Sequence, residues 1–191
     1  NVKIIINQSN LGAGLSRNKG IKHSKGRFIS FIDADDIWRK DKLKKQVLFM
    51  NKNRISFSFS NYHIINKYSK KLKTIVVPKK LTFKDLLFSC QIGLSTVMAD
   101  SGLLKKVKFS NLKTQEDYLL WLKLSKKNIT MLGVNESLSS WRKTDNSLSN
   151  SMRQKLRDAF QVYNKHLKLN YLITLILILS LSIHSFKKRF L

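Results

Sequence analysis

The sequence is poor in the residues that build disulfide-rich or metal-bound folds. Its 191 residues include one cysteine, Cys90, which excludes a disulfide framework and a cysteine-rich metal site. A lone cysteine also agrees with a reducing compartment, so we expect the protein to act in the cytoplasm. A zinc site is not expected either, because no metal-ligand spacing occurs among the four histidines: His23, His63, His166 and His184.

Acidic residues are also scarce. The chain has 11 acidic and 37 basic residues, which gives a formal net charge of +26. Such a charge is typical of proteins that bind nucleic acid or an anionic membrane surface. Only eight of the basic residues are arginine, the residue expected where phosphates are held in fixed geometry, and the lysines are scattered through every segment. We therefore predict no nucleic-acid partner. The charge reflects either a general lysine-rich composition or attraction to a membrane surface.

Long hydrophobic runs are missing except near the C-terminus, where one extends from Tyr171 to Phe186. A helix that crosses a membrane needs roughly 20 predominantly apolar residues, and the apolar core of this run, residues 172–183, is shorter. Three alternatives stay open: a spanning helix, a helix lying in the membrane interface, and a buried C-terminal helix. Because Lys187-Lys188-Arg189 follows, we expect the tail to associate with the inner face of the cell membrane, peripherally or as an anchor.

The N-terminal part of the chain has the pattern of a strand–loop–helix–strand unit. Residues 2–6 are a predicted strand, and Gly12 and Gly14 follow a polar turn, where they permit close backbone approach and unusual dihedral angles. Helical character then extends over residues 15–24, and residues 28–32 are a predicted buried strand. Such a unit is typical of parallel strand pairing. The chain does not begin with Met, so we expect the first strands of its domain to be missing from it.

Three carboxylates, Asp33, Asp35 and Asp36, follow the strand at residues 28–32 directly. In open α/β sheets, ligands bind beyond the carboxyl ends of the strands. Clustered carboxylates repel one another unless a cation offsets them, and Mg²⁺ or Mn²⁺ binds such oxygen ligands together with substrate phosphates. The alternative is an acidic turn that caps the next helix through Asp36.

The rest of the chain alternates between helical and strand-like patterns. The predicted helices cover residues 40–51, 83–88, 100–106, 115–126 and 152–169. The predicted strands cover residues 55–61, 64–65, 75–77, 94–99, 129–132 and 137–141. Thr82 is the predicted N-cap of the helix at residues 83–88. This mixture predicts an α/β fold.

Four segments occur in an order that resembles one known family. LGAGLSRNKGIKHSKGRFISFIDADDIW resembles a block that joins N-x-G-x-x-x-A-R-N-x-G to D-x-D-D, with Ser16 in place of the usual small residue. DKLKKQ, QEDYLLWLKL, and Trp141-Arg142 followed by NSLSNS resemble the later motifs. Over residues 2–150 the chain thus resembles family 2 glycosyltransferases of the GT-A type. The resemblance implies the Rossmann-like α/β fold of nucleotide-diphospho-sugar transferases, and transfer of a sugar from a nucleotide-sugar donor to an acceptor hydroxyl.

The same resemblance implies which residues bind the donor. Asp33 and Asp35 match the D-x-D pair that binds a divalent metal, Mn²⁺ or Mg²⁺, and Asp36 is a further candidate ligand. The residues implied to bind the nucleotide sugar are Arg17, Asn18, Asp33, Ala34, Asp35 and Arg142. The fork of donors on an arginine suits a diphosphate.

The resemblance also implies the catalytic groups. Asp117 matches the base that takes the proton of the acceptor hydroxyl in an inverting transfer, and Glu116 beside it positions the acceptor or the backbone. Each of these residues has a structural alternative. Glu116 and Asp117 form an acidic helix start that the helix dipole favours, Arg17 is a surface residue of its helix, and Arg142 is a surface charge beside a core tryptophan.

Two parts of the family pattern do not occur in the chain: the P-x-[YF]-N turn and the V-D-D-G-S segment, whose acid holds the nucleotide base and ribose. We therefore expect a partial GT-A domain at residues 1–150 that binds its donor poorly alone, and a helical, membrane-associated tail at residues 151–191. The implied setting is the synthesis of surface polysaccharide, lipopolysaccharide or another glycan on a glycan or lipid-linked acceptor. The alternative is an inactive remnant or a non-catalytic partner subunit.

Overall fold

The computed structural model describes residues 2–144 and 151–190, with side chains up to residue 186. Seven strands form one mixed sheet in this part of the chain. The strands are β1 (Phe28–Ser30), β2 (Ile37–Trp38), β3 (Phe57–Ile65), β4 (Lys71–Ile75), β5 (Lys80–Leu81), β6 (Met98–Asp100) and β7 (Met131–Arg142). The helices are α1 (Gly12–His23), α2 (Lys42–Asn53), α3 (Phe83–Phe88), α4 (Ser101–Lys106), α5 (Glu116–Lys126), α6 (Met152–Phe160) and α7 (Tyr171–Phe190).

The two longest strands, β3 and β7, form the centre of the sheet. They run parallel, from Phe57 beside Met131 to Ile65 beside Arg142. The remaining pairs among the described strands are antiparallel, and the sheet has the order β1-β6-β3-β7-β2, with β4 added to β3 and β5 added to β7. Since β1 and β2 are at opposite ends of this order, residues 31–36 cross the sheet from one edge strand to the other. The acidic turn lies in this crossing segment.

Helix α5 supplies the middle of the core, where Trp121 is fully buried. The Trp121 ring packs edge-on against Phe57 of β3, with 5.0 Å between ring centroids, and against Phe109 at 6.3 Å. Phe109 in turn packs against Phe31, which precedes the acidic turn, at 5.4 Å. Edge-to-face aromatic pairs at these distances are favourable beyond the area they bury. This aromatic chain fixes the start of α5 relative to the acidic turn.

The predicted strand at residues 2–6 is wrong. These residues form no ladder with any strand in the described chain, and the side chains of Val2 and Ile4 are 96% and 81% exposed. Apolar alternation stabilises a strand only when another strand supplies hydrogen bonds on its edge and a face to pack against. The expected parallel pairing of this segment with residues 28–32 is therefore not formed, and β1 instead pairs antiparallel with β6.

Most other predicted elements occur with shifted ends. Thr82 caps α3 in a full capping box with Asp85, as its position predicts. The predicted strands at 129–132 and 137–141 are one continuous strand, β7, because an irregular register beside Asn61 of β3 accommodates the polar residues between them. The helix predicted at 152–169 divides into α6 and a π-helical segment, Gln161–His166.

Helix α7 is apolar on two faces that have different surroundings. Thr174, Leu177 and Leu181 are buried against the rest of the chain, and the hydroxyl of Ser180 donates to the carbonyl oxygen of Phe88, at 3.1 Å. The other face exposes large apolar side chains, which are Tyr171, Leu172, Ile173, Leu175, Ile176, Leu179, Ile183 and Phe186. Among the described residues, no helix is both long enough and apolar enough to cross a membrane.

Candidate functional site

The acidic segment forms a tight turn that carries its central residues on the surface. The amide of Asp36 donates to the carbonyl oxygen of Asp33 at 3.0 Å, and Ala34 and Asp35 are exposed at the tip. The amide of Asp33 donates to the hydroxyl of Ser95 at 3.1 Å. The turn is thus closed by its own backbone and anchored to the segment before β6.

Asp36 connects the turn to the end of β7. Its carboxylate accepts the amide of Arg142 at 2.9 Å and a hydrogen bond from the Ser95 hydroxyl. Burial raises the pKa of Asp36 to about 6, although both hydrogen bonds favour the ionised form. The alternative role as a helix cap is wrong, because α2 begins at Lys42 and the residue before it is Asp41.

Arg17 lies between two carboxylates that come from distant parts of the chain. Its guanidinium donates to Oδ1 of Asp33 at 2.8 Å and forms an ion pair with Glu116. The Arg17 side chain is 18% exposed, so it is not a free surface arginine. Burial alone would lower the pKa of Arg17, but Asp33 and Glu116 together outweigh it and raise the pKa. Arg17, Asp33 and Glu116 therefore form one ion-pair cluster.

Two contacts of α1 bring Arg17 to this position. Gly14 packs so closely that a β-carbon there would overlap the carbonyl oxygen of Ser110 and lie 3.2 Å from Cγ of Glu116. The amide group of Asn18 donates to the carbonyl oxygen of Phe109 and accepts its backbone N–H, both at 2.9 Å. Asn18 therefore has both ends of its amide bound to backbone, and its predicted contact with the donor stays a prediction.

Asp117 follows Glu116 at the start of α5, and its carboxylate accepts the amide of Tyr118 at 2.7 Å. Burial raises the pKa of Asp117 to about 7, and the negative charge of Glu116 adds to the increase. The hydrogen bond from Tyr118 and the charge of Arg17 act in the opposite direction. A carboxyl group that titrates near neutral pH is suited to take up a proton from a substrate hydroxyl.

Arg142 donates to backbone oxygens of two separate segments, the acidic turn and the hairpin between β3 and β4. Its guanidinium donates to the carbonyl oxygen of Asp35 at 2.8 Å and to that of Asn66 at 2.9 Å, and it also contacts Ser69 at 3.1 Å. These contacts connect the acidic turn to the hairpin between β3 and β4. Whether Arg142 also contacts a diphosphate stays a prediction. The serine-rich motif after it, residues 146–151, lies almost entirely outside the described residues.

The described carboxylates of the acidic turn form no closed metal site. No group of three or more His, Cys, Asp or Glu side chains is placed to hold a metal among the residues whose side chains are described. Asp33 is bound to Arg17 and Asp36 to Arg142, whereas the exposed carboxylate of Asp35 has no hydrogen bond or ion pair with any described residue. Mg²⁺ is typically bound by one or two carboxylates plus substrate phosphates and water, and Asp35 with Asp33 fits that pattern.

A buried network behind the turn was not predicted from the sequence. Lys42 of α2 is fully buried, its ammonium lies 4.2 Å from the centroid of the Trp38 ring, and it donates to Oε1 of Gln46 at 2.6 Å. The indole N–H of Trp38 donates to the carbonyl oxygen of Ser95 at 2.7 Å. Ser95 also contacts Asp33 and Asp36. Lys42 therefore supports the turn indirectly, through Trp38 and Ser95. No local pattern signals this network, because its members come together only in three dimensions.

Asp33, Asp36 and Asp117 all border one cavity of about 730 Å³. Its lining also includes Ser95 and Gln115. The structure therefore brings together the predicted donor-binding turn and the predicted base, which are separated by some 80 residues in the sequence. Volumes of roughly 300–1,000 Å³ are usual for small-molecule sites.

Sequence comparison identifies relatives of the chain. The sequence model described as glycosyl transferase family 2 matches residues 1–112. TuaG of Bacillus subtilis, whose name assigns it to teichuronic acid biosynthesis as a glycosyltransferase, is 34% identical over 90% of this chain and 68% of its own length. WfgD of Escherichia coli, named as a UDP-Glc:alpha-D-GlcNAc-diphosphoundecaprenol beta-1,3-glucosyltransferase, is 39% identical over 84% of this chain and 63% of its own.

Solved structures with the same fold include TarS of S. aureus. The complex of TarS residues 1–349 with UDP-GlcNAc superimposes with a TM-score of 0.62 at 18% identity, over 87% of this chain and 51% of that one. TarS 1–349 without that ligand gives a TM-score of 0.63 at 17% identity, over 94% and 53%. At this identity the likeness establishes the fold. The chain spans about half the length of these structures.

Proposed function

The chain belongs to glycosyl transferase family 2, and on that premise we propose that it transfers a sugar from a nucleotide-diphosphate donor to an acceptor hydroxyl. The observation that carries this proposal is the cluster of Arg17, Asp33 and Glu116 beside Asp117. It combines a cation for a diphosphate, an exposed acidic turn and a carboxyl group with a pKa near 7. The names of the relatives favour surface-polysaccharide synthesis as the setting.

The donor would lie across the acidic turn. Arg17 donates to Asp33 and pairs with Glu116, so it would hold Asp33 in place beside the donor and would contact the diphosphate only through its remaining donors. Asp35, with Asp33, would hold a Mg²⁺ or Mn²⁺ ion, which when bound neutralises the charge that develops on the departing nucleoside diphosphate. Ala34 at the tip gives the donor access to backbone atoms, and Asn18 and Arg142 hold the turn and α1 in place.

Asp117 would act as the base of an inverting transfer. Its carboxylate takes the proton of the acceptor hydroxyl while the hydroxyl oxygen forms a bond to the anomeric carbon. The bond between the anomeric carbon and the diphosphate oxygen breaks with its electron pair, and the nucleoside diphosphate leaves. Burial is the main cause of the raised pKa of Asp117, and Glu116, which pairs with Arg17, adds to it.

The acceptor would be a glycan or a lipid-linked sugar at the inner face of the cell membrane. The exposed apolar face of α7 and the net charge of +26 support such a location, because amphipathic helices and basic surfaces bind anionic interfaces. WfgD, by its name, uses a diphosphoundecaprenol-linked acceptor.

Sugar transfer from radiolabelled nucleotide sugars to membrane acceptors tests the proposal in the full-length protein. We expect Asp117→Asn to reduce transfer about 100-fold or more, with Glu136→Gln, a partly exposed acid of β7, as the matched control. Asp35→Ala and metal chelation are each expected to reduce transfer. Transfer that is unchanged by Asp117→Asn contradicts the role of the base, and transfer unchanged by both Asp35→Ala and chelators contradicts the role of the metal.

A further inference from the structure

Helix α6 places a buried carboxylate beside the chain that leads into α5. Asp158 is 1% exposed, and its Oδ2 atom accepts both the backbone N–H and the hydroxyl of Thr114, each at 2.8 Å. Its Oδ1 atom accepts the side-chain amide of Gln154 at 3.0 Å. Asp158 forms no ion pair with a basic side chain in the described part of the chain. Burying a carboxylate without a cation costs free energy that an apolar side chain does not cost. What Asp158 supplies is the fixed direction of its hydrogen bonds.

The residue that follows Thr114 has a strained backbone. Gln115 has φ 62° and ψ 17°, in the left-handed region, which residues other than glycine adopt at a cost in free energy. Such a conformation persists only where the surroundings enforce it. Here both contacts come from α6: Asp158 holds Thr114, and the side-chain amide of Gln115 donates to the carbonyl oxygen of Lys155 at 3.4 Å.

The conformation of Gln115 sets the direction in which α5 begins. The carbonyl oxygen of Gln115 accepts the N–H of Leu119 at 3.0 Å, as expected for the residue that precedes a helix. The acidic pair, Glu116 and Asp117, comes directly after Gln115. The direction of α5 therefore decides whether Glu116 reaches Arg17 and where the carboxylate of Asp117 lies.

A second contact connects the same part of the chain to the other side of the acidic pair. Tyr163 belongs to the π-helical segment after α6, and its hydroxyl lies 2.7 Å from that of Tyr118, the residue that follows the acidic pair. Both rings are fully buried, and the Tyr118 hydroxyl donates to the carbonyl oxygen of Leu86 at 2.6 Å. Residues 154–163 thus hold the chain on both sides of the acidic pair.

We propose that Asp158 is a positioning residue of the candidate active site. By holding Thr114 it keeps Gln115 in the left-handed conformation, and this conformation directs the acidic pair toward Arg17 and the cavity. Asp158 itself does not line the cavity, so it acts through Thr114. The inference rests on the proposed function, because it assigns a further residue to the same transfer.

Amide hydrogen exchange, measured by NMR on the full chain, tests the positioning without any substrate. Asp158→Ala is expected to speed exchange of the amides of residues 114–119 by about tenfold or more, because the start of α5 then opens locally. The matched control is Asp100→Ala. The carboxylate of Asp100 also accepts a backbone amide at a helix start, that of Gly102 at 2.8 Å, and it does not line the cavity. This variant is expected to speed exchange in α4 and to leave residues 114–119 unchanged.

Sugar transfer by the full-length protein gives a second readout. Asp158→Ala is expected to lower kcat about tenfold and to change KM for the donor by less than about twofold, because the acidic turn stays in place. Asp158→Asn keeps an oxygen atom that accepts from Thr114, so it is expected to retain kcat within about threefold. If Asp158→Ala unfolds, Thr114→Val replaces it, since valine has the shape of threonine and removes only one hydrogen bond. Its effects are expected to be smaller and in the same direction.

The two readouts separate this inference from the proposed function. Exchange at residues 114–119 that is equal in Asp158→Ala and Asp100→Ala overturns the positioning role, and so does a kcat of Asp158→Ala equal to that of the wild type. A uniform increase of exchange over the whole chain also overturns it, because that result indicates a general loss of stability. Faster local exchange in a protein that transfers no nucleotide sugar supports the contact of α6 with α5 and contradicts the proposed function.

Discussion

Gly14 of α1 lies directly against the carbonyl oxygen of Ser110, with no room for a β-carbon between them. This contact lets the first turn of α1 approach the start of α5 closely enough for Arg17 to reach Glu116. The ion pair between Arg17 and Glu116 therefore depends on Gly14, which itself carries no functional group. Gly20 lies in the same helix, but a β-carbon added there would have no atom within 4 Å.

These two glycines give a prediction with an internal control. Gly14→Ala is expected to lower the free energy of unfolding by about 1–3 kcal/mol, because the added methyl group overlaps a backbone oxygen that cannot move cheaply. Gly20→Ala is expected to raise it by about 0.5–1 kcal/mol, because alanine loses less conformational entropy in a helix. Chemical denaturation of the two variants checks the difference. A stability of Gly14→Ala equal to that of Gly20→Ala contradicts the close packing of α1.

Arg17→Lys tests whether the forked guanidinium is needed. A lysine ammonium cannot bridge Asp33 and Glu116 in the same geometry, and a lost hydrogen bond between charged, half-buried groups costs roughly 1.5–3 kcal/mol. We expect the specificity constant for the nucleotide sugar to fall by about 10- to 100-fold. Steady-state kinetics with varied donor concentration measure it.

The control for Arg17→Lys is Arg39→Lys. Arg39 also contacts two carboxylates, Asp41 and Glu136, but its side chain is 45% exposed. Exposed ion pairs contribute little to stability because water and salt screen them, so this variant is expected to keep the donor kinetics of the wild type. Equal losses in the two variants would mean that the effect comes from general charge and not from the cluster.

The raised pKa of Asp117 predicts opposite pH dependences for activity and for stability. The base is active as the carboxylate, so the specificity constant is expected to rise with pH through about 7, the raised pKa of Asp117. Because the folded protein holds this proton more tightly than the unfolded chain, Asp117 lowers stability as the pH rises from about 4 to 7. Asp117→Asn is therefore expected to lose transfer and to be more stable than wild type at pH 8 by on the order of 2 kcal/mol.

Activity measured across the pH range and denaturation at pH 5 and pH 8 check this prediction. The stability gain of Asp117→Asn should be small at pH 5, where the wild-type group is already protonated. A stability gain of equal size at pH 5 and pH 8 would contradict a raised pKa of Asp117 in the folded protein. Glu136→Gln serves as the control, since it removes a partly exposed acid whose pKa is lowered by its hydrogen bond with Lys45.

Local patterns in the sequence predicted the parts of the fold that local forces decide. The resemblance to family 2 glycosyltransferases and the GT-A fold are confirmed. Helix α5 and the capping box at Thr82 follow from residues within one or two turns of each other. Arg17, Asp33 and Glu116 were named as site residues from motifs, and their contact within one cluster agrees with that prediction without testing their roles.

The parts that were missed depend on contacts between distant segments. The predicted strand at residues 2–6 has strand-forming residues, but a strand needs a partner, which no residue of the segment can reveal. The indole of Trp38 bonds to Ser95, 57 residues away, so the support behind the acidic turn has no local signature. A fully buried lysine within the polar stretch DKLKKQ is likewise invisible to hydrophobic periodicity.

Lys42 gives the last prediction, because a fully buried ammonium without a carboxylate partner makes stability depend on pH. Burial lowers the pKa of Lys42 to about 7, so the unfolded chain binds this proton more tightly than the folded protein does. Stability is therefore expected to rise as the pH increases from about 7 toward 10, by on the order of 3 kcal/mol. Lys42→Met is expected to abolish this increase, while Lys44→Met, on the exposed side of α2, keeps it. Denaturation of the wild type and both variants at pH 7 and pH 10 measures the slopes. An unchanged slope in Lys42→Met would mean that Lys42 remains charged over the Trp38 ring throughout this range, stabilised by that ring and by Gln46.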